Sequence, residues 1–100
     1  MSAMDRQEAM GRLKAALPRL KAAGVGALYM FGSTARNEAG PASDIDLFFD
    51  PARPGLNLFD VMAARDEICG LLERPVDLMT RGSIHPYLRQ RIEAEAVRVF

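Results

Sequence analysis

Two aspartates, Asp44 and Asp46, stand two positions apart in an otherwise apolar segment of the sequence. On a β-strand they would project from the same face about 6.5 Å apart, because each residue rises about 3.3 Å and successive side chains point to opposite faces. Ile45, Leu47 and Phe49 would then face the core. Burial of two like charges is unfavourable by several kcal/mol unless a cation lies between them.

Carboxylate ligands of this kind favour Mg²⁺, which keeps several waters and shares its coordination shell with substrate phosphates. A pair of metal ions about 3.5–4 Å apart would fit between such carboxylates. The alternative is a surface strand whose acids face solvent while its other face packs. For an isolated Asp-x-Asp pair that alternative is the ordinary explanation, so further residues must decide between the two.

Gly32, Ser33 and Asp77 could complete a site with the two aspartates. Ser33 could cap a short helix, whose free backbone N–H groups would suit a triphosphate, and Gly32 would let a phosphate approach the backbone. Asp77 lies between apolar residues in a short segment that is typical of a half-buried strand. Three such acids can hold two metal ions that bridge the attacking oxygen, the α-phosphate and the leaving pyrophosphate.

Apolar periodicity and breaks at Gly and Pro predict the elements that would position these residues. Helices are predicted at residues 4–17, 33–37, 57–73 with Asn57 as cap, and 86–96. Pro18 should interrupt the first of them with a kink or with a second short helix over 18–23. Strands are predicted at 25–31, 44–49 and 76–79, and the tail ending at Phe100 could add an edge strand. Turns or loops should lie at 38–42, 52–56 and 80–84. This order predicts an α/β fold, a small mixed β-sheet with helices packed on it.

Several apolar residues are predicted to form the helical faces that pack on this sheet. They are Leu58, Val61, Met62, Ile68, Leu71 and Leu72 in one helix, and Leu88, Ile92 and Ala96 in another. The methionines Met4, Met10, Met30, Met62 and Met79 fall in apolar stripes and are expected to fill the core. Cys69, the sole cysteine, falls in the first of these patterns and is expected to be a buried thiol.

Length and charge indicate one domain over residues 1–100 and an ordinary globular composition. The 13 basic residues balance the 13 acidic ones, which argues against a general nucleic-acid binder and predicts no direct nucleic-acid contact. No apolar run approaches the roughly 18 residues that a membrane span needs, so no membrane contact and a cytoplasmic location are expected.

In three motifs the chain resembles a known family, the minimal nucleotidyltransferases, or MNT domains, of the DNA polymerase β-like superfamily. The motifs are Phe31-Gly32-Ser33-Thr34-Ala35-Arg36, Ser43-Asp44-Ile45-Asp46-Leu47 and Val76-Asp77-Leu78. The segment from Ile84 to Ala96 resembles the family's terminal helix, so the resemblance covers nearly the whole chain. Asn37 stands where the family often has Gly, and Asn tolerates left-handed backbone angles better than most residues.

The resemblance implies a metal-dependent transfer of AMP from ATP to a hydroxyl group. Family members are typically antitoxins that attach AMP to a tyrosine of a helical HEPN-domain ribonuclease toxin, their partner. By the same resemblance, Asp44 and Asp46 would bind two Mg²⁺ ions and Asp77 would complete the catalytic metal site and help to activate the acceptor hydroxyl. Gly32 and Ser33 would hold the β- and γ-phosphates. Since larger relatives carry an added acceptor domain, a partner protein is expected to present the acceptor here, and a homo- or hetero-oligomer is compatible with this.

Four residues outside the acidic set have two interpretations each. Arg36 could contact a phosphate or pair with an acid on the sheet, and we assign it to nucleotide binding. Asp50 shares the face of Asp46, but its place before Pro51 favours a turn role. His85 precedes a helix and favours capping over catalysis, whereas Tyr87 could belong to a partner surface, as could Arg89, or could pack like Leu88.

Three functions remain open at this point. The first is an antitoxin enzyme that adenylylates its toxin. The second is a non-catalytic antitoxin that masks the toxin by binding. The third is a nucleotidyltransferase that acts on RNA or on a small hydroxyl compound, which the neutral charge and the missing acceptor domain disfavour.

Overall fold

A four-stranded mixed sheet with the strand order β3-β2-β1-β4 organises the protein. The structure is a computed structural model that describes residues 5–38, 40 and 44–100. The strands are β1 (Val25–Phe31), β2 (Ile45–Pro51), β3 (Val76–Thr80) and β4 (Val97–Arg98). β2 pairs parallel with β3 and antiparallel with β1, and β4 pairs antiparallel with β1. The predicted mixed sheet and the edge strand in the tail are therefore confirmed.

Five α-helices surround this sheet in the described part of the chain. They are α1 (Arg6–Ala15), α2 (Leu17–Ala22), α3 (Gly32–Ala35), α4 (Leu58–Leu72) and α5 (Pro86–Glu95), with a short 3-10 helix at Arg81–Ser83. Pro18 lies in the first turn of α2, where the missing N–H costs little, so the predicted break is confirmed. Asn57 caps α4 in a reciprocal capping box with Asp60, as predicted for its N-terminus. No helix among the described residues is long and apolar enough to cross a membrane.

Helices cover both faces of the sheet. Successive strand side chains point to opposite faces, and each face carries apolar residues that pack against helices. Ile45, Leu47 and Phe49 of β2 are buried on one face, as predicted, together with apolar residues of α1, α2 and α4. Phe48 faces the other side and packs with Phe31 and with Ile92 of α5. The acids Asp46 and Asp50 share this second face with Phe48. The face that carries the acids is therefore partly covered by α5.

Several core predictions are wrong near helix ends. Leu58 and Met62 are 70% and 45% exposed, because the first turns of α4 pack little against the sheet. Leu88 is 47% exposed on α5, and Cys69 is only partly buried, although it packs against the main core. Met30 is buried and Met10 and Met79 are partly buried, as predicted. Met4, Ser43 and most of the predicted turn at 38–42 lie outside the described residues.

Asp50 was predicted to serve a turn, and this is wrong. It lies within β2, and its two carboxylate oxygens accept hydrogen bonds from Nε and Nη2 of Arg81 at 2.8 and 3.0 Å. Arg81 also donates to Glu93 of α5 at 2.7 Å and lies 4.8 Å from the ring centre of Tyr29. The guanidinium group of Arg81 thus links the 3-10 helix to β2 and to α5 by hydrogen bonds.

Replacing Arg81 with Lys is expected to lower the free energy of unfolding by about 1–2 kcal/mol, because an ammonium cannot form the two parallel bonds to Asp50. Urea denaturation measures this. The matched control is Arg19→Lys, since Arg19 is 64% exposed and its ion pair with Glu67 uses one guanidinium nitrogen, Nε, at 3.2 Å. A change below about 0.5 kcal/mol is expected for this control. Equal changes in the two variants would contradict the structural role of Arg81.

Candidate active site

The acidic residues meet where the N-terminal ends of β2 and β3 adjoin the C-terminal end of β1. Asp46 of β2 is paired in register with Asp77 of β3 on one side and with Phe31 of β1 on the other. In-register residues on neighbouring strands lie about 4.7–4.9 Å apart in the pairing direction. Asp44 precedes β2 by one residue and is exposed, as is Asp77. The fold thus places Asp46 at the centre of this sheet edge, next to Asp77 and two residues from Asp44.

This arrangement shifts the pKa of Asp46. Burial raises the pKa of its carboxyl group above the usual value, and the charges of Asp77 and Asp44 raise it further. Arg36 acts in the opposite direction and lowers the pKa of Asp46. The charge of the ionised carboxylate is therefore less favourable here than in water, and a nearby cation would offset the charges of its neighbours.

The donor chemistry of this edge fits a hard divalent cation, because the nearby side chains are carboxylates. Among the described residues, no group of three or more His, Cys, Asp or Glu side chains is close enough to hold a metal ion as it stands. Asp44 and Asp77 are exposed, so their side chains can rotate towards Asp46 without disturbing the core. The observation that supports the fit is the mutual repulsion at Asp46, which a bound cation would relieve.

Gly32 follows β1 directly and lies against Asp46. Its φ of 74° is in the left-handed region, where a side chain is disfavoured, and a Cβ atom there would collide with Oδ2 of Asp46. Gly32 is the first residue of α3, and Phe31 rather than Ser33 is the N-cap. The prediction that Ser33 caps this helix is therefore wrong, since Ser33 lies one position inside α3. Asn37 adopts a φ of 60°, as its tolerance for the left-handed region predicted.

Glu95 of α5 contacts two of the three residues, Gly32 and Arg36, that were assigned to nucleotide binding. Its Oε1 accepts a hydrogen bond from the backbone N–H of Gly32 at 3.2 Å, and its Oε2 accepts one from Nη1 of Arg36 at 3.1 Å. Arg36 also donates to Glu38 at 3.2 Å, and these partners raise the pKa of its guanidinium. The acids that pair with Arg36 thus lie on α5 and after α3, not on the sheet.

A cavity of about 300 Å³ opens beside Gly32. Its apolar lining comes from Phe31, Leu88 and Ile92. Arg36, Arg91 and Glu95 supply its charged lining. The cavity therefore lies between the Gly32 turn and α5, and Leu88 lines this cavity instead of packing in the core.

Sequence reasoning missed Glu95 and Arg81, and the reason is distance along the chain. The contact from Gly32 to Glu95 spans 63 positions, and nothing in the local pattern of α5 marks this acid as different from its neighbours.

Of the residues with two interpretations, His85 does cap α5, since its Nδ1 accepts a hydrogen bond from the N–H of Tyr87. Tyr87 is 91% exposed and does not pack in the core, and Arg89 donates to the carbonyl groups of Gly82 and Ile84.

This combination of a mixed sheet, a Gly-Ser turn and paired aspartates on neighbouring strands defines a nucleotidyltransferase. Residues 11–99 match the Nucleotidyltransferase domain family, and the chain belongs to that family. It takes the minimal form, because its fold matches a structure described as a "putative minimal nucleotidyltransferase" with a TM-score of 0.83 and 32% identity. That match covers 97% of this chain and 98% of the other.

A curated relative is similar over most of its length. It is "Putative protein adenylyltransferase MJ0435" of Methanocaldococcus jannaschii, 41% identical over 83% of this chain and 88% of the relative. The fold also matches an MNT antitoxin in complex with a tri-AMPylated HEPN toxin of Shewanella oneidensis, with a TM-score of 0.69 and 19% identity over 95% of this chain and 71% of the other. At that identity, the match shows a shared fold.

Proposed function

We propose that this chain is a Mg²⁺-dependent antitoxin that transfers AMP from ATP to a tyrosine hydroxyl of a HEPN-domain toxin. The observation that carries the proposal is the in-register pairing of Asp46 with Asp77 beside the Gly32 turn. This pairing brings acids from two strands to the place where a backbone N–H and Arg36 can hold an anion. The names of the relatives add protein adenylyltransferase activity and, for a structure of the same fold, a HEPN toxin as partner.

In the proposed reaction, the tyrosine oxygen attacks the α-phosphorus of ATP and pyrophosphate leaves. Asp44, Asp46 and Asp77 would hold two Mg²⁺ ions, which when bound supply charge stabilisation for the attacking and leaving oxygens. Asp77 is exposed at the sheet edge, so it can reach an acceptor hydroxyl presented from outside and accept its proton. Gly32, Ser33 and Arg36 would orient the β- and γ-phosphates, so that the α-phosphate lies near Asp46.

The direct test incubates the chain with ATP, Mg²⁺ and its cognate toxin and searches the toxin for AMP by mass spectrometry. We expect an added AMP on a tyrosine with the wild-type chain and none with the Asp44→Ala plus Asp46→Ala variant. Lack of an adduct with wild type, or an equal adduct with the variant, would refute catalysis. If the variant still protects cells from the toxin, the chain acts by masking. Transfer of label to RNA or to an aminoglycoside without toxin would instead identify a different acceptor.

Mg²⁺ binding can be tested without any acceptor. At about a hundredfold excess over its dissociation constant, Mg²⁺ is expected to raise the free energy of unfolding by about 2.7 kcal/mol, since a ligand of the folded state stabilises it by mass action. Thermal melts with MgCl₂ and with NaCl at equal ionic strength measure this. An equal stabilisation of the double alanine variant would place the ion elsewhere on the protein.

A further inference from the structure

Glu95 accepts hydrogen bonds from two of the three residues that are proposed to hold the nucleotide phosphates, Gly32 and Arg36. Oε1 accepts from the N–H of Gly32 and Oε2 accepts from Arg36, so one carboxylate spans both groups. The side chain of Glu95 is 26% exposed, and it is held at the end of α5 next to the sheet edge. A carboxylate and a phosphate are both anions that favour the same kind of donor.

The two anions exclude each other at the N–H of Gly32. A backbone N–H has a single hydrogen to donate, so Gly32 cannot serve both Glu95 and a phosphate with full strength. A phosphate placed there would also lie within a few ångströms of the Glu95 carboxylate, where like charges repel strongly in a partly buried cleft. Binding of a triphosphate therefore requires Glu95 to leave.

Arg91 offers a place for the displaced carboxylate. It lies four residues before Glu95 on α5, the spacing at which two helical side chains meet, and both line the same cavity. Within the ranges that the structure describes, Arg91 has no ion-pair partner. Rotation of one side chain would thus exchange Arg36 for Arg91 without movement of the helix.

We infer that Glu95 is an internal competitor of the nucleotide, which holds Gly32 and Arg36 in the free protein and turns to Arg91 when phosphates bind. This inference rests on the proposed nucleotide site and adds a residue that sets its affinity. Glu95 touches no reacting atom and is a positioning residue. Because the contested contacts are with phosphates, its effect should depend on the phosphate chain and not on the adenosine.

The test measures binding by isothermal titration calorimetry in EDTA-containing buffer, so that metal binding does not contribute. The ligands are ATP, inorganic tripolyphosphate and AMP. For Glu95→Gln we expect about 5- to 20-fold tighter binding of ATP and tripolyphosphate, from removal of one nearby like charge, and a change below about twofold for AMP. The matched control is Glu93→Gln, which removes a charge from the same helix at a residue that pairs with Arg81 instead.

The role of Arg91 is tested by a double-mutant cycle. Arg91→Met should weaken the binding of tripolyphosphate several-fold in the wild-type background, because the displaced Glu95 loses its second partner. In the Glu95→Gln background the same change should have little effect. A loss of equal size in both backgrounds would show that Arg91 contacts the phosphates directly and would overturn its assigned role.

The remaining outcomes separate this inference from the proposed function. Equal, weaker or undetectable binding of tripolyphosphate by Glu95→Gln relative to wild type overturns the competition, and so does an equal gain in Glu93→Gln. If wild type binds tripolyphosphate and Glu95→Gln binds it more tightly, but neither transfers AMP with Mg²⁺ and toxin, the competition stands and the proposed function fails. Thermal melts of every variant confirm that each compared protein is folded.

Discussion

Replacing Asp46 with Asn is expected to reduce AMP transfer by about 10²–10³-fold or more, because in the proposed function this carboxylate would hold a metal ion at the reacting centre and so contribute several kcal/mol to the transition state. Asp46 lies at the centre of the site, since it pairs in register with Asp77 and lies against Gly32. The charges of Arg36 and Glu95 also act on its carboxyl group. Quantification of the AMP adduct over time under single-turnover conditions measures the loss.

The same substitution is expected to stabilise the metal-free protein. Burial and the neighbouring acids raise the pKa of Asp46 in the folded state, so folding favours its protonated form. The wild-type contribution is therefore most favourable below the ordinary pKa of Asp and is lost as the pH rises through the raised value. Asn stays neutral, so urea denaturation in EDTA should give a higher midpoint for Asp46→Asn at pH 7 and a smaller difference at pH 4.

The control for both effects is Asp66→Asn, which removes an acid from α4 outside the acidic edge. It should leave transfer within about twofold of wild type and change stability by less than about 0.5 kcal/mol, as surface substitutions usually do. Full AMP transfer by Asp46→Asn would contradict a catalytic role for Asp46. Lower stability of this variant than of wild type at pH 7 would contradict the expectation that Asp46 lowers the stability of the metal-free protein.

Local sequence rules predicted most elements, because their signals act over a few residues. Val25–Phe31 was predicted as a strand with the bounds that the structure shows, the cap at Asn57 was predicted, and so was the left-handed angle of Asn37. The alternation of Ile45 and Asp46 also assigned the faces of β2 correctly.

The errors arise where distant parts of the chain meet. Met62 has the periodicity of a core residue, but periodicity does not show how far a helix extends past the sheet on which it packs. Asp50 resembled a turn residue because its partner, Arg81, lies 31 positions away. Glu95 could not be distinguished from Glu93, the other acid of α5, for the same reason, and only the folded structure brings the end of α5 to Gly32.

Gly32→Ala is expected to lower the free energy of unfolding by about 2–3 kcal/mol and to abolish most AMP transfer. A left-handed backbone costs a residue with a Cβ about 1–2 kcal/mol. The remainder comes from the collision of that Cβ with Asp46, whose Oδ2, Cγ and Cβ would all lie within contact distance. Relief of this contact requires the Asp46 carboxylate to rotate away from the Gly32 turn and so to leave its present position, so the loss of stability and the loss of activity have one cause.

Gly55→Ala separates the two parts of this effect. Gly55 has a φ of 83°, close to that of Gly32, but a Cβ there would meet no atom within 4 Å. This control should therefore cost only the backbone strain, about 1–2 kcal/mol, with activity unchanged once the protein is folded. Equal destabilisation of the two variants, together with an active Gly32→Ala, would show that the turn is kept for its backbone angle alone. A larger loss in Gly32→Ala would show that the glycine is required because Asp46 must lie against the turn. In the proposed function, this geometry would bring a phosphate bound at Gly32 next to the acidic edge.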